Sequence, residues 1–352
     1  MRVAVDAYFN NNLGDDLFLN ILIDRYPNVH FDFLLTKKEA CKAFQNHPRV
    51  NYVSRKDVFK NILKYKAYIF IGGSMFQEPL NWKAQWKLFN LTVNIFNFFR
   101  KRTFVLGCNF GPFETTTYKE RYSQTFRKLT HMTVRDDLSY ELLKNQGINL
   151  SKHPDIVFSM CKQVNHEKNS QDIVGISVID WHKNKNLEGY INLNKKIIID
   201  SIQKGRKVRL FAFQNTNGVS DLNLCNTILE QLKKYQKDIE VISYNGNIIR
   251  FLDKYLECGY VVTSRFHSLI LSLLYSQDIC PIIYSEKTSN TLKYLGLNLQ
   301  CISMDETVDF NETKVADVFN ANSKINLQVI KDISKRAHKH FEFVDKCLNN
   351  EN

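Results

Sequence analysis

The chain has 352 residues, 44% hydrophobic and 24% charged, a globular composition too long for one ordinary core, so two domains are expected. A formal net charge of +12, spread along the sequence, fits anionic partners (phosphorylated substrates, anionic lipid surfaces, nucleic acid) or a Lys-rich solvated surface. The eight cysteines, at 41, 108, 161, 225, 258, 280, 301 and 347, are never closer than 21 residues. That spacing excludes a CxxC pair, a zinc knuckle or a tight disulfide framework, and reads as core thiols of a reducing compartment.

The first residues, MRVAVDAYFNNNLGDD, carry Asp6 inside a short apolar run and lack the long apolar region of a signal peptide. No window reaches 18 uncharged apolar residues. The expectation is a soluble cytoplasmic protein.

Apolar runs of strand type follow in order at 2–8, 29–35, 67–72, 103–107 and 132–135, then at 172–179, 207–213, 239–244, 260–264, 280–285 and 300–304. Helical patterns fit between them at 82–101, 119–129, 139–146, 190–204, 221–236 and 266–276, with a last helix near 325–348. Strand–helix alternation predicts βαβ units and parallel sheets. The polar stretch 160–171 is the best linker candidate. The expected fold is α/β, two Rossmann-like domains facing a cleft (GT-B type) with mostly parallel sheets. Residues 1–162 form the first domain, 170–325 the second, and 326–352 a helix able to pack back onto the first. Neither half has GxGxxG after its first strand, nor GxxxxGK[ST], which counts against dinucleotide and P-loop sites.

Several strand ends carry ligand-type residues, and in an open parallel sheet those ends are where ligands bind. NNNLGDDLFLNIL follows the first strand. There Asp15 reads either as a helix N-cap or as a general base or sugar-hydroxyl acceptor polarised by the helix N-terminus. Gly72 and Gly73 follow a buried strand, where their N–H groups could approach a ligand or form an anion nest. Gly107, Gly111 and Pro112 close the next strand. Arg135 ends another, either paired with Asp136 or Asp137 or serving as a carboxylate or phosphate clamp. In GYVVTSRFHSLILSLLYSQ, residues 259–277, an apolar strand stops at Ser264, Arg265, Phe266 and His267 before a buried helix. A guanidinium and an imidazole in that hinge suggest an anion.

The helix region 81–102 is rich in aromatics and ends in Arg100, Lys101 and Arg102. It reads as a core-packing helix with a basic last turn suited to its dipole, or as a surface resting on a membrane.

This ordered series resembles the polysaccharide pyruvyl transferases. The matching residues are Asn12, Gly14, Asp15 and Asp16; Gly72, Gly73 and Ser74; Gly107, Gly111 and Pro112; Val134, Arg135, Asp136 and Ser139; Asp155 and Phe158; Ser264, Arg265 and His267; and Pro281, Tyr284 and Lys287. Two departures stand out. Ser74 replaces the third glycine of a G-G-G segment, and the arginine–histidine motif lacks the extra residue that some relatives carry after serine.

The resemblance, which covers residues 1 to about 300, implies transfer of a pyruvyl group from phosphoenolpyruvate to two hydroxyls of one sugar as a cyclic ketal. It implies phosphoenolpyruvate as co-substrate and no cofactor; no metal is expected, because oxygen-rich ligands are not clustered in the sequence and arginine can meet the phosphate charge. His267 and Asp15 are then expected as acid and base. Arg135, Arg265, Ser264, Lys287, Gly72 and Gly73 are expected on the donor, and Asn12, Asp16 and Asn109 on the acceptor. The acceptor would be a glycan or lipid-linked oligosaccharide at the inner face of a membrane. Two other readings remain: a GT-B glycosyltransferase with a nucleotide-sugar donor, and a non-catalytic nucleic-acid binder. The second is disfavoured because no nucleic-acid module or basic aromatic cluster is present.

Overall fold

The computed structural model describes residues 1–163, 170–181, 186–216, 219–283, 286–297, 299–304, 312–322 and 327–349. The chain divides into two compact units. Unit 1 comprises Met1–Phe9, Asp15–Ser159 and Ser334–Asn352; unit 2 comprises Asn10–Gly14 and Met160–Ile333.

In unit 1 the strands are β1 (Arg2–Ala7), β2 (His30–Phe33), β3 (Val50–Tyr52), β4 (Ala67–Ile71), β5 (Arg102–Cys108), β6 (His131–Val134) and β7 (Leu150–Lys152). They form one sheet in the order β3-β2-β1-β4-β5-β6-β7, every pairing parallel. The chain winds outward from β1 in one direction and from β4 in the other, so the crevice between the ends of β1 and β4 is the topological switch point. β4 and β6 are buried at every position, as central strands covered on both faces must be. The helices are α1 (Leu13–Arg25), α2 (Arg55–Lys60), α3 (Trp82–Phe98), α4 (Thr116–Phe126) and α5 (Asp137–Leu143).

In unit 2, β8 (Ser170–Val178), β9 (Lys207–Ala212), a hairpin of β10 (Asn215–Thr216) and β11 (Val219–Ser220), β12 (Ile239–Ser243), β13 (Cys258–Thr263), β14 (Asp278–Ile283) and β15 (Ile302–Ser303) follow. The main sheet runs β12-β9-β8-β13-β14-β15, all parallel, with its switch point between β8 and β13. Its helices are α6 (Leu187–Gln203), α7 (Asp221–Gln231), α8 (Ile248–Leu256), α9 (Phe266–Leu274), α10 (Glu286–Leu295) and α11 (Glu312–Asn322). α12 (Leu327–Ala337) and α13 (Glu342–Leu348) end the chain.

The expected continuous last helix is broken. A 3-10 turn, His338–Phe341, separates α12 from α13. His340 is buried there between Thr133 and the Pro154 carbonyl, at 2.6 and 2.7 Å, and these tertiary bonds override local helix geometry. α3 packs Trp82, Phe89, Thr92, Val93 and Phe96 inward, as a core helix should. It ends at Phe98, however, before the basic residues. Arg100 takes a left-handed conformation (φ 55°) and the Lys101 N–H reaches back to the Phe96 carbonyl at 2.8 Å, a Schellman-type stop. The expected basic last turn is therefore not part of α3. Among the described residues no helix is long and apolar enough to cross a membrane.

Candidate functional site

Unit 1 gathers four consecutive strand ends around one guanidinium. Arg135, just after β6, donates from Nε to Asn109 Oδ1 at 2.7 Å and from Nη1 to Asp155 Oδ2. Asn109 follows β5 and Asp155 follows β7. The Asn109 N–H donates to the Gly73 carbonyl, after β4, at 2.7 Å. A Cβ on Gly73 would lie 2.5 Å from Arg135 Nη2, so this glycine makes room for the arginine. The close approach expected of a ligand at Gly73 is thus made by the protein's own arginine, and the Gly72 N–H, expected in an anion nest, donates to the Leu106 carbonyl at 3.3 Å.

The expected partners of Arg135 are corrected as well. Asp136 caps α5 by accepting the Ser139 N–H at 2.8 Å, Asp137 pairs with Lys152, and the counterion is Asp155. Asn109, expected on the acceptor, instead spans Arg135 and Asp136, to whose Oδ2 its Nδ2 donates. The Arg135 and Asp155 side chains are only 5% and 1% exposed.

α1 begins at Leu13, so Asp15 and Asp16 lie in its first turn and the expected Asp15 cap is replaced. Asn12 Oδ1 takes the capping role, accepting the Gly14 N–H at 2.9 Å. Asp15 is half-buried. Asp16, expected on the acceptor, is fully buried and accepts from the Cys41 thiol at 3.9 Å; a carboxylate sealed from solvent cannot touch a glycan.

Unit 2 builds a second arginine site at its switch point. Ser177, near the end of β8, accepts the backbone N–H of Ser264 at 2.8 Å and of Arg265 at 3.2 Å, which fixes the turn after β13. The Tyr190 hydroxyl donates to Ser264 Oγ at 2.8 Å. Burial pushes the Tyr190 phenol up to about 12, so it keeps its proton at neutral pH. Arg265 forks onto Asp221 in α7, through Nε to Oδ2 at 2.9 Å and through Nη2 to Oδ1. Asp221 also accepts the backbone N–H groups of Asp180 (2.9 Å), Phe213 (3.1 Å) and Gln214 (3.1 Å). The Arg265 side chain is 15% exposed over an Asp221 that is 0% exposed.

The loop Asn10–Gly14 belongs to this unit. Asn12 Nδ2 donates to Gln214 Oε1 at 3.1 Å and the Leu13 N–H to the Phe213 carbonyl at 3.1 Å. A Cβ on Gly14 would collide with Nδ1 of His267 in the first turn of α9. The first motif of the sequence series, Asn12–Gly14, therefore meets the Ser264–His267 motif, about 250 positions later, inside one unit. Lys287 lies in α10, and Tyr284 lies outside the described residues.

Sequence reasoning missed Asp221 and Ser177. Ser177 had a signal, being the lone hydroxyl in the apolar run IVGISVI. Asp221 stands at a helix start after a strand, where an acidic residue also satisfies the helix dipole, so its tie to an arginine 44 positions away leaves no local trace. Among the described residues no group of three or more His, Cys, Asp or Glu side chains is arranged to hold a metal ion.

Two parallel α/β units of this winding define a GT-B-type fold, and solved structures agree. The chain matches a putative UDP-N-acetylglucosamine 2-epimerase from Listeria monocytogenes with a TM-score of 0.63 at 8% identity, covering 100% of this chain and 97% of that one. It matches the E. coli ADP-heptose lps heptosyltransferase II at 0.52 and 12% identity, covering 93% and 99%. The family model for polysaccharide pyruvyl transferase matches residues 12–285, and the chain belongs to that family. A curated relative, the amylovoran biosynthesis protein AmsJ of Erwinia amylovora, is 22% identical over 92% of this chain and 83% of its own length.

Proposed function

We propose that the protein moves the pyruvyl group of phosphoenolpyruvate onto one sugar of a cell-surface polysaccharide or its precursor, leaving a cyclic pyruvate ketal. The observation that carries this reading is the meeting of Asn12–Gly14 with Ser264–His267, two motifs of the family series that lie far apart in the chain. In this reading Arg265, with the N-terminal dipole of α9, receives the anionic donor. His267 gives a proton to carbon 3 of the enol phosphate, which leaves an oxocarbenium-like centre at carbon 2. A sugar hydroxyl attacks that carbon as Asp15 takes its proton. Phosphate departs with the electrons of its carbon–oxygen bond, and the second hydroxyl closes the ketal on the cationic carbon 2 as its proton passes to the now neutral His267. Asp221 holds Arg265 in place and moderates its charge.

The test is a turnover assay with phosphoenolpyruvate and a polysaccharide-derived acceptor, following phosphate release and the new ketal methyl group by NMR. Nucleotide sugars serve as rival donors. Phosphate release that depends on both phosphoenolpyruvate and acceptor is expected, together with a rise in melting temperature on adding phosphoenolpyruvate. Stabilisation and turnover with nucleotide sugars alone would overturn the reading in favour of glycosyl transfer.

A further inference from the structure

A cavity of about 400 Å³ opens in unit 1 at the ends of β1 and β4, the switch point of that sheet and a different place from the Arg135 cluster. Its inner wall is aromatic: Phe70, Phe76, Phe89 and Tyr122 line it. Phe70 stacks on Phe76 at 5.1 Å, and Phe89 lies against both, at 5.4 and 5.6 Å. These rings are buried and held by their neighbours, so the wall is preformed.

Its polar side is an ion pair. Arg55 Nη2 reaches Asp6 Oδ2 at 2.5 Å, Tyr68 donates to the same oxygen at 3.2 Å, and Arg55 Nη1 donates to Thr92 at 2.8 Å. Burial opposes the charge on Arg55, but the Asp6 carboxylate overcomes it and holds the guanidinium above its ordinary value. Both bonds that Asp6 accepts fall on Oδ2, whereas a carboxylate offers about four acceptor sites. Ser74, Gln77, Gln85 and Tyr8 add hydroxyl and amide groups at the rim.

This chemistry selects against a small anion. The one guanidinium in the cavity is already neutralised by a carboxylate that an entering phosphate would meet at close range. A neutral ring with apolar C–H faces and several hydroxyls suits it instead: the faces lie on the aromatic wall, and the hydroxyls bond to carboxylate, guanidinium and amides. We propose that this cavity is a subsite for a neutral pyranose ring of the glycan acceptor, with Asp6 and Arg55 reading its hydroxyls. The assignment rests on the pyruvyl-transfer reading only for the word acceptor; the sugar-binding claim stands by itself.

The test uses the full chain and a panel of methyl pyranosides (glucoside, galactoside, mannoside and N-acetylmannosaminide), with saturation-transfer NMR to detect contact and to rank affinity. At least one panel member is expected to receive saturation on its C–H face. Asp6→Asn, and the exposed rim variants Tyr8→Ala and Gln85→Ala, are each expected to weaken it about tenfold, the loss of one good hydrogen bond or ring contact. Binding of phosphoenolpyruvate, read by thermal shift, should be unchanged in the two rim variants. The rim variants keep the test decisive if Asp6→Asn unfolds the unit. No saturation of any pyranoside, or saturation unaffected by both rim variants, overturns the subsite. Absence of phosphate release from phosphoenolpyruvate, with variant-sensitive sugar binding intact, would instead remove the pyruvyl-transfer reading and leave the subsite standing.

Discussion

Each unit carries an arginine at a strand end, and each arginine is paired with a carboxylate, yet the two pairs are built differently. Asp221 is tethered by three backbone N–H groups as well as by Arg265, so its charge stays compensated when the arginine turns to another anion. Asp155 accepts the Val157 N–H at 2.9 Å, and Arg135 is its counterion. Arg135 is in turn wedged against Gly73 and bonded to Asn109, which links the ends of β4, β5, β6 and β7. A partly exposed arginine over a backbone-stabilised carboxylate suits ligand binding. An enclosed arginine in a closed network suits holding a sheet edge together. The same residue type thus serves unlike purposes after β13, beside the switch point of its sheet, and after β6, toward the edge of its own, whereas in sequence either arginine could be read as a clamp.

The sharpest way to break this contrast is to truncate both. Arg265→Ala should reduce phosphate release from phosphoenolpyruvate by about a hundredfold to a thousandfold, the usual scale for a removed charge-stabilising donor. Its cost in stability should stay near 1–2 kcal/mol, because Asp221 keeps its backbone donors. Arg135→Ala should leave Asp155 buried without its counterion and cost about 3–5 kcal/mol. That corresponds to a drop in melting temperature on the order of 10 °C for a unit of this size. Paired thermal melts and turnover assays decide it. Equal melting losses in the two variants would erase the distinction.

Gly14→Ala sharpens the same contrast from the ligand side. Gly14 sits in the first turn of α1, where alanine is the better helix former by about 1 kcal/mol. Its missing side chain is explained by the His267 ring packed against it. An added methyl must push that ring aside, which a side chain does at small energetic cost but with loss of aim. We expect about a tenfold to hundredfold fall in turnover, the scale of a general acid moved out of line. The melting temperature should move by less than about 3 °C. Loss of folding with the activity of the remaining folded fraction unchanged would show that His267 is only a packing residue.

How far the sequence could be read depended on the range of the interactions. Runs such as AYIFI and KVRLFA announce buried parallel strands through their own composition, and strand–helix alternation implies the two sheets. The three-residue edge strands VNY and LSK are too short to show a period, and their pairing is set by the neighbouring strand. Motif residues such as Gly14, Arg135, Arg265 and His267 were visible as types in order. Their partners were not: Asp155 stands 20 residues from Arg135, and Asp221 stands 44 from Arg265. Nor did Gly73 announce whether it was vacated for a ligand or for the protein's own arginine. Close approach of backbone to either calls for the same residue.

The mildest test concerns the C-terminal segment that buttresses the Arg135 network. His340 bonds through Nε2 to the Pro154 carbonyl, next to Asp155, so Nε2 carries the proton. Nδ1 then accepts from the Thr133 hydroxyl, which itself accepts the Gly107 N–H at 3.0 Å. Burial drives the His340 pKa down to about 3, and burial with nearby Lys339 drives His153 down to about 4; burial lowers His131 as well. Below the ordinary histidine value of about 6.5 the unfolded chain therefore holds more protons than the folded one. Stability is complete above that value and falls as pH drops toward 4, by on the order of 3 kcal/mol for a fully buried imidazole. Glu342 opposes the trend at His131 and His153, and Asp155 opposes it at His340, while Arg135 adds to it there. His340→Gln keeps an N–H donor for Pro154 and an oxygen acceptor for Thr133 but cannot titrate. At pH 7.5 it should cost less than about 1 kcal/mol and leave turnover unchanged. Between pH 6.5 and about 4 its melting temperature should fall less steeply than that of the parent chain. Parallel slopes for the two proteins would mean that the segment already opens before His340 takes its proton, and that the Arg135 network stands without it.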